Sequence, residues 1–259
     1  MLRKFMKRIA SSVVGERTLY RIMHGPSREE LEADRSRAGF YGKFISPGDI
    51  CFDVGANVGN RVAPLLAIGA KVIAVEPQPA CQHVLGLRFG DRITLVRKGL
   101  DAVKGVREMY LSDEHVLSSF SKEWIDSVKG SRFDRFSWNG KIEVEMITLD
   151  ELIRTHGSPR FIKIDVEGFE ANVLKGLSKP VPYISFEYIT PEETARAREC
   201  LNILNAIAPD AVYNYSKSES MAFALEQWIP YTAMGDVLRS KEFEASGFGD
   251  IYFKHTDRS

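Results

Sequence analysis

From residue 50 onward, short apolar runs alternate with stretches of helical period. ICFDV at 50–54 is apolar except for Asp53 and reads as a buried strand. Residues 60–69 read as a helix, KVIAVE (71–76) as a second strand, 78–89 as a second helix and RITLVR (92–97) as a third strand. This βαβαβ rhythm predicts a parallel sheet with right-handed crossovers. The rhythm breaks after residue 100. VREMYL (106–111) and KIEVEMI (141–147) are strand-like, and the stretch between them is irregular and rich in Ser, Lys, Asp and aromatic residues. So long a connection inside a domain is usually functional or disordered, and about 112–141 is read as a lid or acceptor-binding insertion.

The alternation then resumes. Thr148-Leu149-Asp150-Glu151 is a capping box opening a short helix, FIKID (161–165) a strand, and 168–177 a helix with Phe169, Val173 and Leu177 on one stripe. PYISFE (182–187) is the next strand. Thr190-Pro191-Glu192-Glu193 predicts a helix start capped by Thr190, running to about Ala208. Residues 211–215 and GDIYFK (249–254) supply the last strands, with a helical stretch at 231–245 between them. Upstream, residues 1–48 are polar and helical, with a capping box at Ser27-Arg28-Glu29-Glu30, and the turn SPGD (46–49) separates this extension from a main domain at 49–259.

At the N-terminus Arg3, Lys4, Lys7 and Arg8 interleave with Leu2, Phe5, Met6 and Ile9. A helix so patterned could lie on a membrane surface and give a weak peripheral contact; the plainer alternative is a surface helix covering one edge of the domain. No apolar run approaches the roughly 20 residues that span a bilayer. The chain has 259 residues, 44% hydrophobic and 27% charged, enough to bury a sizeable core. Its 35 basic and 35 acidic residues balance, which leaves no electrostatic case for nucleic acid. Cys51, Cys81 and Cys200 are odd in number and form no CxxC, which argues against zinc and a disulfide framework and fits a reducing, cytoplasmic compartment.

Ligands of open α/β sheets sit at the carboxyl ends of the strands. There the first strand presents Asp53, Gly55, Asn57 and Gly59, the second Glu76, the third Leu100-Asp101, the fourth Asp165 and Glu167, and the fifth Glu187. The spacing D-x-G-x-N-x-G differs from the G-x-G-x-x-G of a dinucleotide pyrophosphate site. An acid beside the loop suits a ligand bearing an ammonium as well as a carboxylate; a glycine-rich turn without a ligand is the alternative. Glu76 could accept both hydroxyls of a ribose, or merely cap the next helix. A ribose together with an amino-acid moiety points to S-adenosylmethionine. The rivals are a nicotinamide-dependent oxidoreductase, which the glycine spacing opposes, and a cofactor-binding module that has lost its reaction.

FDVGANVG, AVEP (74–77), ITLDEL (147–152) and FIKIDVEGFEANVLKG (161–176) resemble the FkbM-type methyltransferases. The first motif is common to many methyltransferases; IDVEGFE followed by VLKG, placed after TLDEL, is far more specific. The resemblance implies a Rossmann-like class I α/β fold: a seven-stranded, mostly parallel sheet with an antiparallel last strand and helices on both faces. It implies S-adenosylmethionine-dependent methylation, mostly of hydroxyls on sugars or secondary metabolites. It places the methionine part of the cofactor at Asp53, Gly55, Ala56, Asn57 and Gly59, the ribose at Glu76, the adenine at Leu100-Asp101 and a further contact at Asp165. KGLDAVKG (98–105) matches the family pattern only loosely.

Methyl transfer to a hydroxyl needs in-line positioning and help in removing a proton. Asp165, ending the fourth strand, is the first candidate for the base, followed by Glu167 and Glu187. These oxygens could instead hold a divalent ion; no metal is assigned. His115 could reach in from the insertion, although a lone surface histidine is the plainer reading. Trp124, Phe133, Phe136 and Trp138 either line an acceptor pocket or form the insertion's own core.

Overall fold

The computed structural model describes residues 16–128 and 135–255; the basic stretch before residue 16 and Phe133 lie outside them. Two helices lead in, α1 (Glu16–Met23) and α2 (Arg28–Tyr41). Ser27 caps α2 as its sequence predicts: its Oγ accepts from the Glu30 amide at 3.1 Å, and its own amide donates to the Glu30 carboxylate at 2.7 Å. The extension is anchored by aromatic packing, since Phe40, Tyr41 and Phe44 are buried among Phe161, Tyr183 and Tyr252.

The βαβαβ start is as read: β1 (Ile50–Val54), α3 (Val62–Ile68), β2 (Lys71–Val75), α4 (Pro79–Arg88) and β3 (Ile93–Val96). Then follow β4 (Gly99–Leu100), β5 (Gly105–Leu111), α5 (Lys122–Val128), β6 (Gly140–Ile147), α6 (Leu149–His156), β7 (Phe161–Ile164), α7 (Glu170–Lys175) and β8 (Tyr183–Ile189). The chain ends with α8 (Thr194–Ile207), β9 (Val212–Lys217), β10 (Ile229–Pro230), α9 (Tyr231–Val237), α10 (Lys241–Glu244) and β11 (Phe248–Lys254).

The central sheet has the order β10-β9-β11-β8-β7-β1-β2-β3. β1 pairs parallel with β2 and β7, and β11 runs antiparallel between β8 and β9. This is the implied class I methyltransferase sheet with one strand more than the seven expected. The addition is the two-residue β10, whose Pro230 is tolerated because β10 has a neighbour on one side only. Alternate strand residues face opposite layers: Phe52, Val54, Ile162 and Ile164 join one core, while Cys51, Val72, Ala74 and Phe161 join the other.

A second sheet, β4-β6-β5, stands apart. It is an antiparallel β5–β6 pair with the insertion at its tip. The outer positions 105–108 of β5 are exposed, which explains why its apolar signal is weak. Two sequence readings shift. The helix expected over 168–177 contracts to α7, because Gly168 turns the chain at φ +81° immediately before it. Thr190 does not cap the next helix: its Oγ1 donates to the Glu244 carbonyl at 2.8 Å, and α8 begins four residues later. Thr148, by contrast, caps α6 and accepts from the Glu151 amide at 3.2 Å. All three cysteines are buried and free, and no helix among the described residues is long and apolar enough to cross a membrane.

Candidate functional site

One cleft opens at the carboxyl ends of β1, β2, β7 and β8, with an open volume of about 1120 Å³ including its mouth. Asp53, Gly55, Ala56, Asn57, Glu76, Leu100, Asp165, Glu167 and Glu187 all line it, although they come from chain segments up to 134 residues apart (187 − 53). Two of the anticipated residues point elsewhere. A Cβ on Gly59 would lie 2.3 Å from the Phe89 ring, so this glycine serves the packing of α4 and does not line the cleft. Asp101 is engaged behind β4, by Arg107, by the Ala102 amide at 2.7 Å and by Asn172.

The loop after β1 is shaped by backbone geometry. Gly55 has φ +84°, and a Cβ there would stand 1.8 Å from the Asp165 carbonyl oxygen. Only glycine lets the β1 and β7 loops touch in this way. The Gly55 and Ala56 amides both donate to Val75, which ties the loop to β2. Asn57 then sits at φ +47°, and its amide donates to Glu76 Oε2 at 2.8 Å. The other Glu76 oxygen accepts from the Gln78 amide at 2.7 Å, so Glu76 ties the loop after β1 to the residue before α4 while facing the cleft. Gln78 in turn donates from its side chain to the His115 carbonyl at 3.1 Å, which joins the insertion to the cleft.

Asp53 is 1% exposed, and its Oδ2 has no hydrogen-bond partner among the described residues. Burial pushes its carboxyl up to about 7, with Arg61 and Lys163 opposing and Asp165 and Glu76 adding to the rise. Burial likewise raises Glu76 to about 7 against the pull of its two amide donors. A carboxyl whose pKa is raised in the folded chain favours folding fully below its unfolded value, near 4, and that contribution is lost as pH rises through about 7. Asp53→Asn should therefore raise the thermal midpoint of the ligand-free protein at pH 8 relative to wild type, with the gain shrinking toward pH 5, while weakening cofactor binding. Unfolding scans across that range, paired with calorimetry, check both halves.

At the far side of the cleft Asp165, Glu167 and Glu187 offer carboxylate oxygens within 4.8 Å of one another. Burial, reinforced by Asp165, raises Glu167 and Glu187 well above the usual carboxylate range. Glu167 has φ +51°, and its carbonyl accepts from Ser119 Oγ at 2.6 Å. The turn is pinned from below by Glu170, 3% exposed, whose Oε1 accepts from the Val166 and Gly168 amides at 3.2 Å. Trp124 of α5 packs on Gly168, where a Cβ would meet its ring at 2.4 Å. Trp124 thus belongs to a small core with Leu117, Ile125, Val128 and Ile189, against which Phe136 and Trp138 pack. The rings that do line the cleft are Phe120 and Phe169, with centroids 5.5 Å apart. His115 lines it too.

Several charged lining residues carry no sequence signal. Arg61, at the N-cap of α3, forms a two-point ion pair with Glu219 at 2.8 and 2.5 Å, and Arg37 of α2 reaches the same carboxylate at 3.3 Å. Burial alone would raise Glu219, but Arg61 and then Arg37 outweigh it and hold the carboxyl down at about 2. Arg61 and Glu219 lie 158 residues apart, beyond the reach of any local pattern.

The sequence profile of the Methyltransferase FkbM domain matches residues 53–216. The hexuronic acid methyltransferase AglP of Haloferax volcanii is 27% identical over 143 residues, 53% of this chain and 54% of that protein. The chain thus spans about half the length of this curated relative. Among solved structures, a TehB-like SAM-dependent methyltransferase from Corynebacterium glutamicum aligns with a TM-score of 0.45 at 11% identity, covering 96% of this chain and 100% of that one. Aeropyrum pernix fibrillarin with bound S-adenosyl-L-methionine aligns with a TM-score of 0.42 at 12% identity, covering 85% and 75%. At that similarity neither structure bears on the chemistry.

The cleft fits S-adenosylmethionine on its own features. The orphaned Asp53 oxygen lacks only a cationic donor, and the cofactor's methionine end carries an ammonium. Glu76 stands at the end of β2, a place suited to ribose hydroxyls. With the profile matched across 53–216, more than half the chain, this protein belongs to the FkbM methyltransferase family.

Proposed function

We propose that the chain methylates a hydroxyl oxygen of a sugar, with hexuronic acids and glycans containing them as the first acceptors to test. The observation that carries this reading is the half-buried trio Asp165, Glu167 and Glu187 on the wall of the cleft. A carboxylate acceptor is already a competent nucleophile and needs no base. A hydroxyl must lose a proton as it attacks, and a carboxyl with a raised pKa accepts one best near neutral pH. AglP, by its name, acts on a hexuronic acid, which supports a sugar acceptor.

In this reading S-adenosylmethionine supplies an electrophilic methyl group, and the chain supplies position and charge. Asp53 receives the ammonium and Glu76 the ribose, with Leu100 beside the adenine. Phe120 and Phe169 offer aromatic faces to the acceptor ring. Glu167 or Glu187 takes the hydroxyl proton, while Asp165 stands as a fixed negative charge near the sulfonium. The insertion carrying Ser119 and Trp124 acts as the lid over the acceptor. The buried Lys163 ammonium, 3.2 Å from Asp165 Oδ2, makes proton sharing, rather than a metal centre, our reading of the trio.

The test is labelled-methyl transfer to free hexuronic acids, neutral sugars and uronic-acid glycans, with the product analysed before and after mild base. A base-stable methyl ether supports the reading. A base-labile methyl ester, or transfer only to non-sugar acceptors, overturns it. Glu76→Ala should weaken S-adenosylhomocysteine binding by about 1–3 kcal/mol through loss of a charged hydrogen-bond acceptor. Unchanged affinity by calorimetry would remove Glu76 from the ribose site.

A further inference from the structure

Lys163 is the most deeply buried cation that the described side chains place beside the acid trio, at 1% exposure. It lies on β7 two residues before Asp165 and directs its ammonium along the sheet instead of out to solvent. Its Nζ is 3.2 Å from Asp165 Oδ2 and 2.7 Å from Asp250 Oδ1, with the Ile164 carbonyl at 3.5 Å. Asp250, on β11, stands opposite Glu187 of β8 in the strand register, and its other oxygen accepts from the Tyr252 hydroxyl at 3.3 Å. Two hydrogen bonds and an ion pair therefore run in line from Tyr252 through Asp250 and Lys163 to Asp165. Elsewhere around this ammonium the charged or titratable groups are Glu187 and Glu167, Glu170 below the turn, Asp53 on β1, Glu219, Arg61 at the N-cap of α3 and Tyr41 of α2.

A buried lysine with two acid partners is costly unless both contacts are made. Here both are, and the consequence is asymmetric. Asp165 has an ammonium on one oxygen, whereas none of the hydrogen bonds or ion pairs found among the described residues engages the carboxylates of Glu167 and Glu187. We propose that Lys163 is a positioning residue: it commits Asp165 to the role of fixed anion and leaves the Glu167–Glu187 pair as the proton acceptor. Asp250 completes the arrangement, because it takes up part of the lysine's charge and keeps the ammonium from turning toward the cleft. The assignment rests on reading the trio as the site of proton removal. Its test uses the free protein, so it can fail independently of any acceptor.

The experiment is a carbon-13 titration of the side-chain carboxyls in protein labelled at glutamate, with the Glu167 and Glu187 signals assigned from Glu→Gln variants. Removing the cation in Lys163→Met should raise the pH at which the pair titrates by about one unit or more, since an opposite charge a few ångströms away favours the ionised form. Lys163→Arg should restore most of the wild-type value. Asp250→Asn removes a neighbouring anion and should move the pair's titration downward. A folded Lys163→Met protein whose glutamates titrate as in wild type overturns the proposal. If Lys163→Met does not fold, Asp250→Asn decides alone: a downward move supports the assignment, and no move or an upward one overturns it. Binding of S-adenosylhomocysteine to each variant reports whether the cofactor cleft is intact.

Discussion

Replacing Gly55 by alanine is expected to destabilise the protein by about 3–5 kcal/mol and to abolish cofactor binding. Two effects act together at this residue. Its φ of +84° is strained for any side chain, and an added Cβ would overlap the Asp165 carbonyl oxygen at 1.8 Å. That oxygen belongs to backbone, so neither partner can swing aside; the β1 and β7 loops must part. Parting them moves Asp53 and Asp165, which lie on opposite sides of the contact, and the cleft loses the two acids proposed to face the methionine end of the cofactor. Gly39→Ala is the matched control. It lies inside α2 with nothing within 4 Å of the new methyl group, so it should be neutral or stabilising by up to about 1 kcal/mol. Chemical denaturation of the two variants separates the cases. A Gly55→Ala protein as stable as wild type would show that the contact between the loops is not required.

The second large effect is on turnover. Glu187→Gln is expected to lower kcat by about 10²–10⁴ while leaving S-adenosylhomocysteine affinity within about threefold, because general-base assistance contributes on that scale. The glutamine keeps the shape and part of the hydrogen bonding, so the fold should survive. Combining it with Glu167→Gln should cost little more than the worse single change if the two share one proton-accepting role, since groups that act as a unit are not additive. Full additivity would mean that the two glutamates work separately. In wild type, kcat should rise with pH above the usual carboxylate range, because burial raises both glutamates well above that range and the base is competent only once ionised. A pH–rate profile that stays flat above the usual carboxylate range would remove both from the role.

Much of this architecture is legible in the chain. Most of the strand and helix order from Ile50 to Lys254 follows from apolar runs of strand length, from helical periodicity and from the capping residue Thr148, all of them local signals; β4, the insertion helix α5 and β10 gave no such signal. The strand-end carboxylates were legible for the same reason: a parallel sheet brings every such end to one edge. Asp53, Glu76, Asp165, Glu167 and Glu187 could therefore be picked out without coordinates.

What local patterns could not give is contact between distant segments. Gly59 and Gly55 look alike in DVGANVG, yet one is required by the Phe89 ring and the other by the Asp165 carbonyl. Asp101 ends up facing Arg107 rather than the cleft, because β4 belongs to the smaller sheet. Thr190 has the makings of a helix cap, but its hydroxyl donates to the Glu244 carbonyl, more than fifty residues later. The Arg61–Glu219 pair and the Lys163–Asp250 contact each join residues more than eighty positions apart. The sequence by itself determined the sheet, the family and the carboxylates at its edge, because these follow from patterns a few residues long. Only the tertiary structure decided which of those carboxylates are desolvated, paired or left without a partner, because desolvation and ion pairing depend on neighbours that the chain brings together only on folding.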